Sequence, residues 1–181
     1  MEATVSSRII HKEKDLFRTI SITTLLVGTL DIIAAIIKFY IDTNLGATLN
    51  IGENKEAVPV SFTRFITQGG VDRLLKYIAR GVFDGSVATN GTIMIAWGLV
   101  FHFMIAFLFT AFLFLVYPKI AAWIKNKFII GIVYGFFTWA VMNLLVIPLS
   151  RVPEKNFDIK QEGIAALILI CLVGMPVALL A

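Results

Sequence analysis

Residues 92–117 read TIMIAWGLVFHFMIAFLFTAFLFLVY, a run without Asp, Glu, Lys or Arg. As a helix rising about 1.5 Å per residue, the run is longer than a bilayer hydrocarbon core of roughly 30 Å. The expectation is a membrane-spanning helix carrying one ionisable side chain, His102, near its middle. Gly98, His102, Ala106 and Thr110 recur every four residues, so a small, polar stripe runs along one face. Tyr117 and Pro118 close the run where an interface is expected, a level that favours tyrosine.

The rest of the chain agrees with this reading. Of its 181 residues, 58% are hydrophobic and 15% charged, with a mean hydropathy of +0.86. Soluble domains carry about 25% charged residues. The apolar residues come in blocks, which suits about four spans in a single membrane domain. The net charge of +4 is modest. The basic residues flank apolar blocks instead of forming a stripe, so no nucleic-acid partner is expected. The single cysteine, Cys171, excludes an intrachain disulfide and reads as a small buried hydrophobe. The N-terminal segment is polar for too long to read as a cleavable signal.

The first span is expected over about 19–41. Thr24, Gly28, Asp31, Ala35 and Lys38 share one face by helical spacing, and this face should point into the bundle. Lys38 can snorkel to the interface, whereas the short side chain of Asp31 cannot. Residues 42–60 read as a polar loop. Val71, Leu74, Leu75, Ile78 and Val82 then form an apolar stripe, with Asp72, Arg73, Lys76 and Arg80 lying off it. An amphipathic helix over about 71–84 is predicted, on the membrane surface or capping the bundle.

The second span, 92–117, is followed by a lysine-rich link, PKIAAWIKNK. The third span is expected over about 128–149, with Gly131, Gly135, Trp139 and Asn143 on one face and Pro148 near the end. Gly131 and Gly135 make a GxxxG pattern that lets a neighbouring backbone approach closely. The fourth span, about 163–181, barely crosses and contains Pro176. The fold class is therefore all-α: a four-transmembrane-helix bundle with one amphipathic interfacial helix.

Short segments dense in Lys and Arg mark the cytoplasmic side. Arg8, Lys12, Lys14 and Arg18 precede the first span, and Lys119, Lys125 and Lys127 follow the second. Both termini are thus expected in the cytoplasm, and the amphipathic helix on the outer face.

Asp31 and His102 should lie at similar depths. A carboxylate at the bilayer centre costs roughly 2.5–3.5 kcal/mol on insertion scales. It needs a partner, and His102 is the nearest ionisable one. A buried, hydrogen-bonded Asp31–His102 pair is expected, sharing a proton as a coupled unit. Alternatively, a protonated Asp31 bonds a third-span group; Tyr134, Thr138 and Asn143 are the candidate supporting residues. The pair would fix helix register, or it would act in proton-linked transport or sensing, because imidazole titrates near neutrality. No HExxH, CxxC, phosphate loop, dinucleotide fingerprint or nucleophile elbow occurs, so no catalytic residue, metal or cofactor is expected. Asn90–Gly91–Thr92 fits a glycosylation triplet, a pattern common by chance. Asp84, Arg80 and Arg64 could supply charge for an enzyme at the outer face, but their spacing does not demand one.

The stretch from His102 through YPKIAAWIKNKFIIGIVYGFFTWAVMNLLVIPLSRVP resembles the YagU-like inner-membrane proteins of bacteria. The shared features are a histidine inside a span, an aromatic–Pro–Lys–Ile exit, a short link, a glycine-containing third span and a closing Pro–Leu. The first span, with LLVGTLDIIAAIIK, is similar in outline. The resemblance implies a small multi-span protein of the bacterial cytoplasmic membrane with no assigned reaction. The expected function is that of a non-enzymatic scaffold, partner subunit or envelope component, with the lipid bilayer and a homo-oligomer or membrane partner as its associates. The alternative is a proton-linked transporter or channel subunit using Asp31 and His102.

Overall fold

A computed structural model of the chain describes residues 2–49, 60–83, 91–151 and 158–181. Among them there are helices and no strands. They are α1 (Glu2–Leu49), α2 (Phe62–Thr67), α3 (Gly70–Arg80), α4 (Gly91–Trp123), α5 (Lys127–Leu149) and α6 (Ile159–Leu180). Among the described residues, four stretches are long and apolar enough to cross a membrane: Glu13–Thr43 within α1, and α4, α5 and α6 in full. This is the architecture of a multi-pass membrane protein.

The helices outrun their expected limits for local reasons. α1 continues to Leu49, through residues expected to form a loop. No proline interrupts it, and Lys38 Nζ pairs with Asp42 Oδ2 one turn ahead at 2.7 Å. α4 passes through Pro118 to Trp123, so the expected ten-residue link shrinks to Ile124–Asn126. A proline there deprives one carbonyl of its helical partner, and the end of a span is where headgroups and water can replace it. α6 gains a polar first turn because the Asp158 side chain accepts from the Lys160 amide at 2.9 Å. The fourth span is thus a full 22 residues.

The apolar stripe that begins at Val71 does not predict α2. Ser61 caps it, its hydroxyl accepting from the Arg64 amide at 3.3 Å. Phe65 is buried against Phe39 and Tyr40 of α1. Gly69, at φ 76°, takes the left-handed turn that joins α2 to α3. On α3, Leu74, Leu75 and Ala79 are buried, whereas Asp72, Arg73 and Arg80 are exposed. Val82, expected on the apolar stripe, lies beyond the helix and is exposed. α3 lies backbone-to-backbone on the start of α4: a Cβ at Gly98 would stand 2.0 Å from the Leu75 carbonyl oxygen.

In the bundle, α1 packs on α4 and α6, while α5 packs on α6 along its length and on α4 more lightly. The core gathers Val27, Leu113, Ile130, Tyr134, Val173, Val177 and Ala178. Gly131 and Gly135 make the close α5–α6 contact. A Cβ at Gly174 would lie 2.2 Å from the Gly131 carbonyl, and one at Gly135 would lie 2.4 Å from the Ile170 Cα. Such approaches let dispersion contacts hold helices together where lipid supplies no hydrophobic drive. α5 and α6 each contain one wide π-helical turn, Met142–Val146 and Ile170–Gly174. Each turn ends two residues before a proline, Pro148 or Pro176. Leu25, Leu108, Leu115, Ile132, Phe136 and Leu167 point outward as an apolar coat, which is the surface a bilayer solvates.

Candidate functional site: a polar seam between two spans

The seam begins with a missing side chain. Gly28 is buried on α1, where a Cβ would sit 2.8 Å from the Phe103 ring and 3.4 Å from the Ala106 Cβ of α4. The bare backbone lets α4 approach, and His102 Nε2 reaches the Gly28 carbonyl oxygen at 2.8 Å. A carbonyl oxygen can only accept, so Nε2 carries the proton. The Phe103 ring stands edge-on to the imidazole, with centroids 5.3 Å apart.

Asp31 lies on the next turn of α1, half-buried, and interacts electrostatically with His102. The expected direct bond between them is not formed: the His102 donor goes to the main chain of Gly28, and no contact ion pair joins the two side chains. Two further groups share these faces. The hydroxyls of Thr24, one turn before Gly28, and Thr110, two turns beyond His102, are buried without a hydrogen-bond partner among the described residues. Lys38, on the same face of α1, pairs with Asp42.

The candidate supporting residues on α5 bond elsewhere. Tyr134 donates to the Phe109 carbonyl of α4, Thr138 Oγ1 donates to the Tyr134 carbonyl at 2.9 Å, and Asn143 Nδ2 donates to the Trp139 carbonyl at 3.0 Å. None of the three is hydrogen-bonded to Asp31 or His102. The reason is topological: α6, not α5, is the other main neighbour of α1. Trp139 Nε1 instead donates to Glu162 Oε2 at 3.3 Å, tying α5 to the start of α6. Cys171 is exposed on α6, not buried. Asp84 and Asn90 lie outside the described residues.

Chemically, the bond to Gly28 engages Nε2 of the imidazole and not Nδ1. Among the described residues, no group of three or more His, Cys, Asp or Glu side chains could hold a metal ion. Comparison with family models, curated proteins and solved structures finds no match. The Gly28 carbonyl escaped sequence reasoning because a main-chain acceptor has no letter of its own. The available signal was the glycine, placed one turn before Asp31.

Proposed function

We propose that the chain is a multi-pass protein of the bacterial cytoplasmic membrane that acts without catalysis, as a scaffold or partner subunit of an envelope assembly. The carrying observation is the His102–Gly28 bond: the histidine within the spans is engaged in holding α1 to α4. The apolar coat supports the membrane setting. Lys119, Lys125 and Lys127 lie around the α4–α5 link, which favours the cytoplasm for that end. In a Cys171→Ala background, a cysteine at Asp72 should be labelled from outside intact cells by an impermeant maleimide, and one at Lys14 should not. The opposite pattern reverses the orientation.

One observation favours a second reading, proton linkage: Asp31, half-buried on α1, interacts with His102 of α4 inside the bundle. Proteoliposomes under an imposed proton gradient separate the two readings. The scaffold reading expects flux no greater than in protein-free vesicles, with Asp31→Asn and His102→Gln unchanged. Flux that disappears in both variants overturns it in favour of the proton-linked reading.

A further inference from the structure

A half-open cavity of about 240 Å³ lies between α1 and α6, further along α1 than Asp31. Its walls include Ile37, Ile164 and Ile168, and its rim includes Lys38, Asp42 and Gln161. The order of these residues along α1 follows the depth of a bilayer. Gly28 marks the middle of the span, and Lys38 lies ten residues further on, about 15 Å along the helix. That is half of a hydrocarbon core of roughly 30 Å. Lys38 and Asp42 therefore stand at headgroup level. The edge-to-face contacts of Tyr40 with Phe62 and Phe65 mark the same level, 5.2 Å and 5.4 Å between ring centroids. Below the rim the walls are branched aliphatic side chains, and Ile37 and Ile164 are half exposed toward the outside of the bundle.

We propose that this groove binds one phospholipid with a zwitterionic phosphoethanolamine headgroup. The acyl chain lies along Ile37, Ile164 and Ile168. The argument for the headgroup is charge complementarity. Lys38 and Asp42 present a cation and an anion one helical turn apart, the charge order that a phosphate followed by an ammonium requires. Their mutual bond uses one Lys38 N–H and one Asp42 oxygen. The remaining Nζ hydrogens are donors for a phosphate oxygen, and Asp42 Oδ1 is an acceptor for the primary ammonium. A glycerol headgroup offers Asp42 no cation, and a trimethylammonium offers it no N–H. The site rests on bilayer insertion but not on the direction of insertion or on proton linkage.

The full chain is reconstituted in nanodiscs holding equal amounts of phosphatidylethanolamine, phosphatidylcholine and phosphatidylglycerol. It is then released in mild detergent, and the lipid that stays bound is identified by native mass spectrometry. Phosphatidylethanolamine should be retained about tenfold over each of the others, as expected when a charge-assisted hydrogen bond is lost. Asp42→Asn should bring its ratio to phosphatidylcholine close to one, and Lys38→Gln should reduce retention of all three. Ile164→Trp, which fills the groove and leaves both charges in place, should expel the lipid. The ratio between lipids is the deciding readout, because a generally loosened fold lowers retention without setting selectivity. Equal retention of the three lipids by the wild type, or an unchanged ratio in Asp42→Asn, overturns the site while leaving the membrane setting intact. Failure of the chain to enter nanodiscs overturns both.

Discussion

The imidazole of His102 and the main-chain carbonyl of Gly28 meet at 2.8 Å although 74 residues separate them in sequence. The contact needs both partners: a side chain long enough to cross the interface and a residue small enough to uncover its own backbone. Replacing His102 with Phe keeps an aromatic ring but removes the donor. It should destabilise the bundle by about 0.5–2 kcal/mol, the range for hydrogen bonds between membrane helices, read from denaturation in mixed micelles. His102→Gln retains an N–H and should cost less. If Phe and Gln cost the same, the donor contributes nothing.

Asp31 stands one turn from Gly28, the residue that His102 bonds, and makes no direct bond to the imidazole itself. A double-mutant cycle with Asp31→Asn and His102→Gln should therefore show coupling, and the coupling should be smaller than that of a contact ion pair. Additive losses would place the two residues in independent roles.

Gly98 is where α3 meets α4 most closely. Gly98→Val should push α3 off the span at a cost of about 1–3 kcal/mol, the usual penalty for overpacking. The displaced helix should become accessible to protease between Gly70 and Arg80, while α5 and α6 stay protected. An unchanged digestion pattern would mean that α3 is held by something other than this contact.

The glycines of α6 should respond oppositely to alanine. Gly174 faces the backbone of Gly131 and Gly135, whereas Gly163 has nothing within 4 Å of where a Cβ would stand. Gly174→Ala should lower the melting temperature. Gly163→Ala should leave it unchanged or raise it, because alanine is better in a helix by up to about 1 kcal/mol. Similar effects at the two positions would argue against the α5–α6 contact.

Tyr77, on α3 outside the spans, has its phenol pKa raised by burial. Its folded-state value thus exceeds the unfolded one, so the folded form holds its proton more tightly. The associated stability is present below pH 10.0 and is lost as pH rises through the raised value. Because the ring is half exposed, the effect is small. Unfolding followed up the alkaline limb should show a shallower loss in Tyr77→Phe than in the wild type. Parallel limbs would assign the alkaline loss to other groups.

The fold was legible in the sequence wherever composition alone decides the outcome. Runs such as 92–117 are long and apolar enough to span, and the stripe around Leu74 and Leu75 requires a helix with one covered face. The helix ends were less legible, because Pro118 reads as a stop whereas a proline near an interface costs little. The site was half legible. Spacing put Asp31 and His102 on polar faces of neighbouring helices, but it could not show that α6, not α5, flanks α1. Tyr134, Thr138 and Asn143, expected as possible supports for Asp31, bond within α5 or to α4 instead. The wide turns left no periodic trace, since one surplus residue shifts an apolar pattern that is already apolar all round.

The turn at Ile170–Gly174 sets the azimuth of everything beyond it. In an ideal α-helix successive residues are about 100° apart, so a single surplus residue resets the phase of the downstream half by roughly that angle. The upstream half of α6 turns Ile164 and Ile168 toward α1, and the downstream half turns Val177 and Ala178 fully inward. Deleting one residue within the turn would rephase the helix, carry those two side chains out toward lipid, and leave the upstream half where it is.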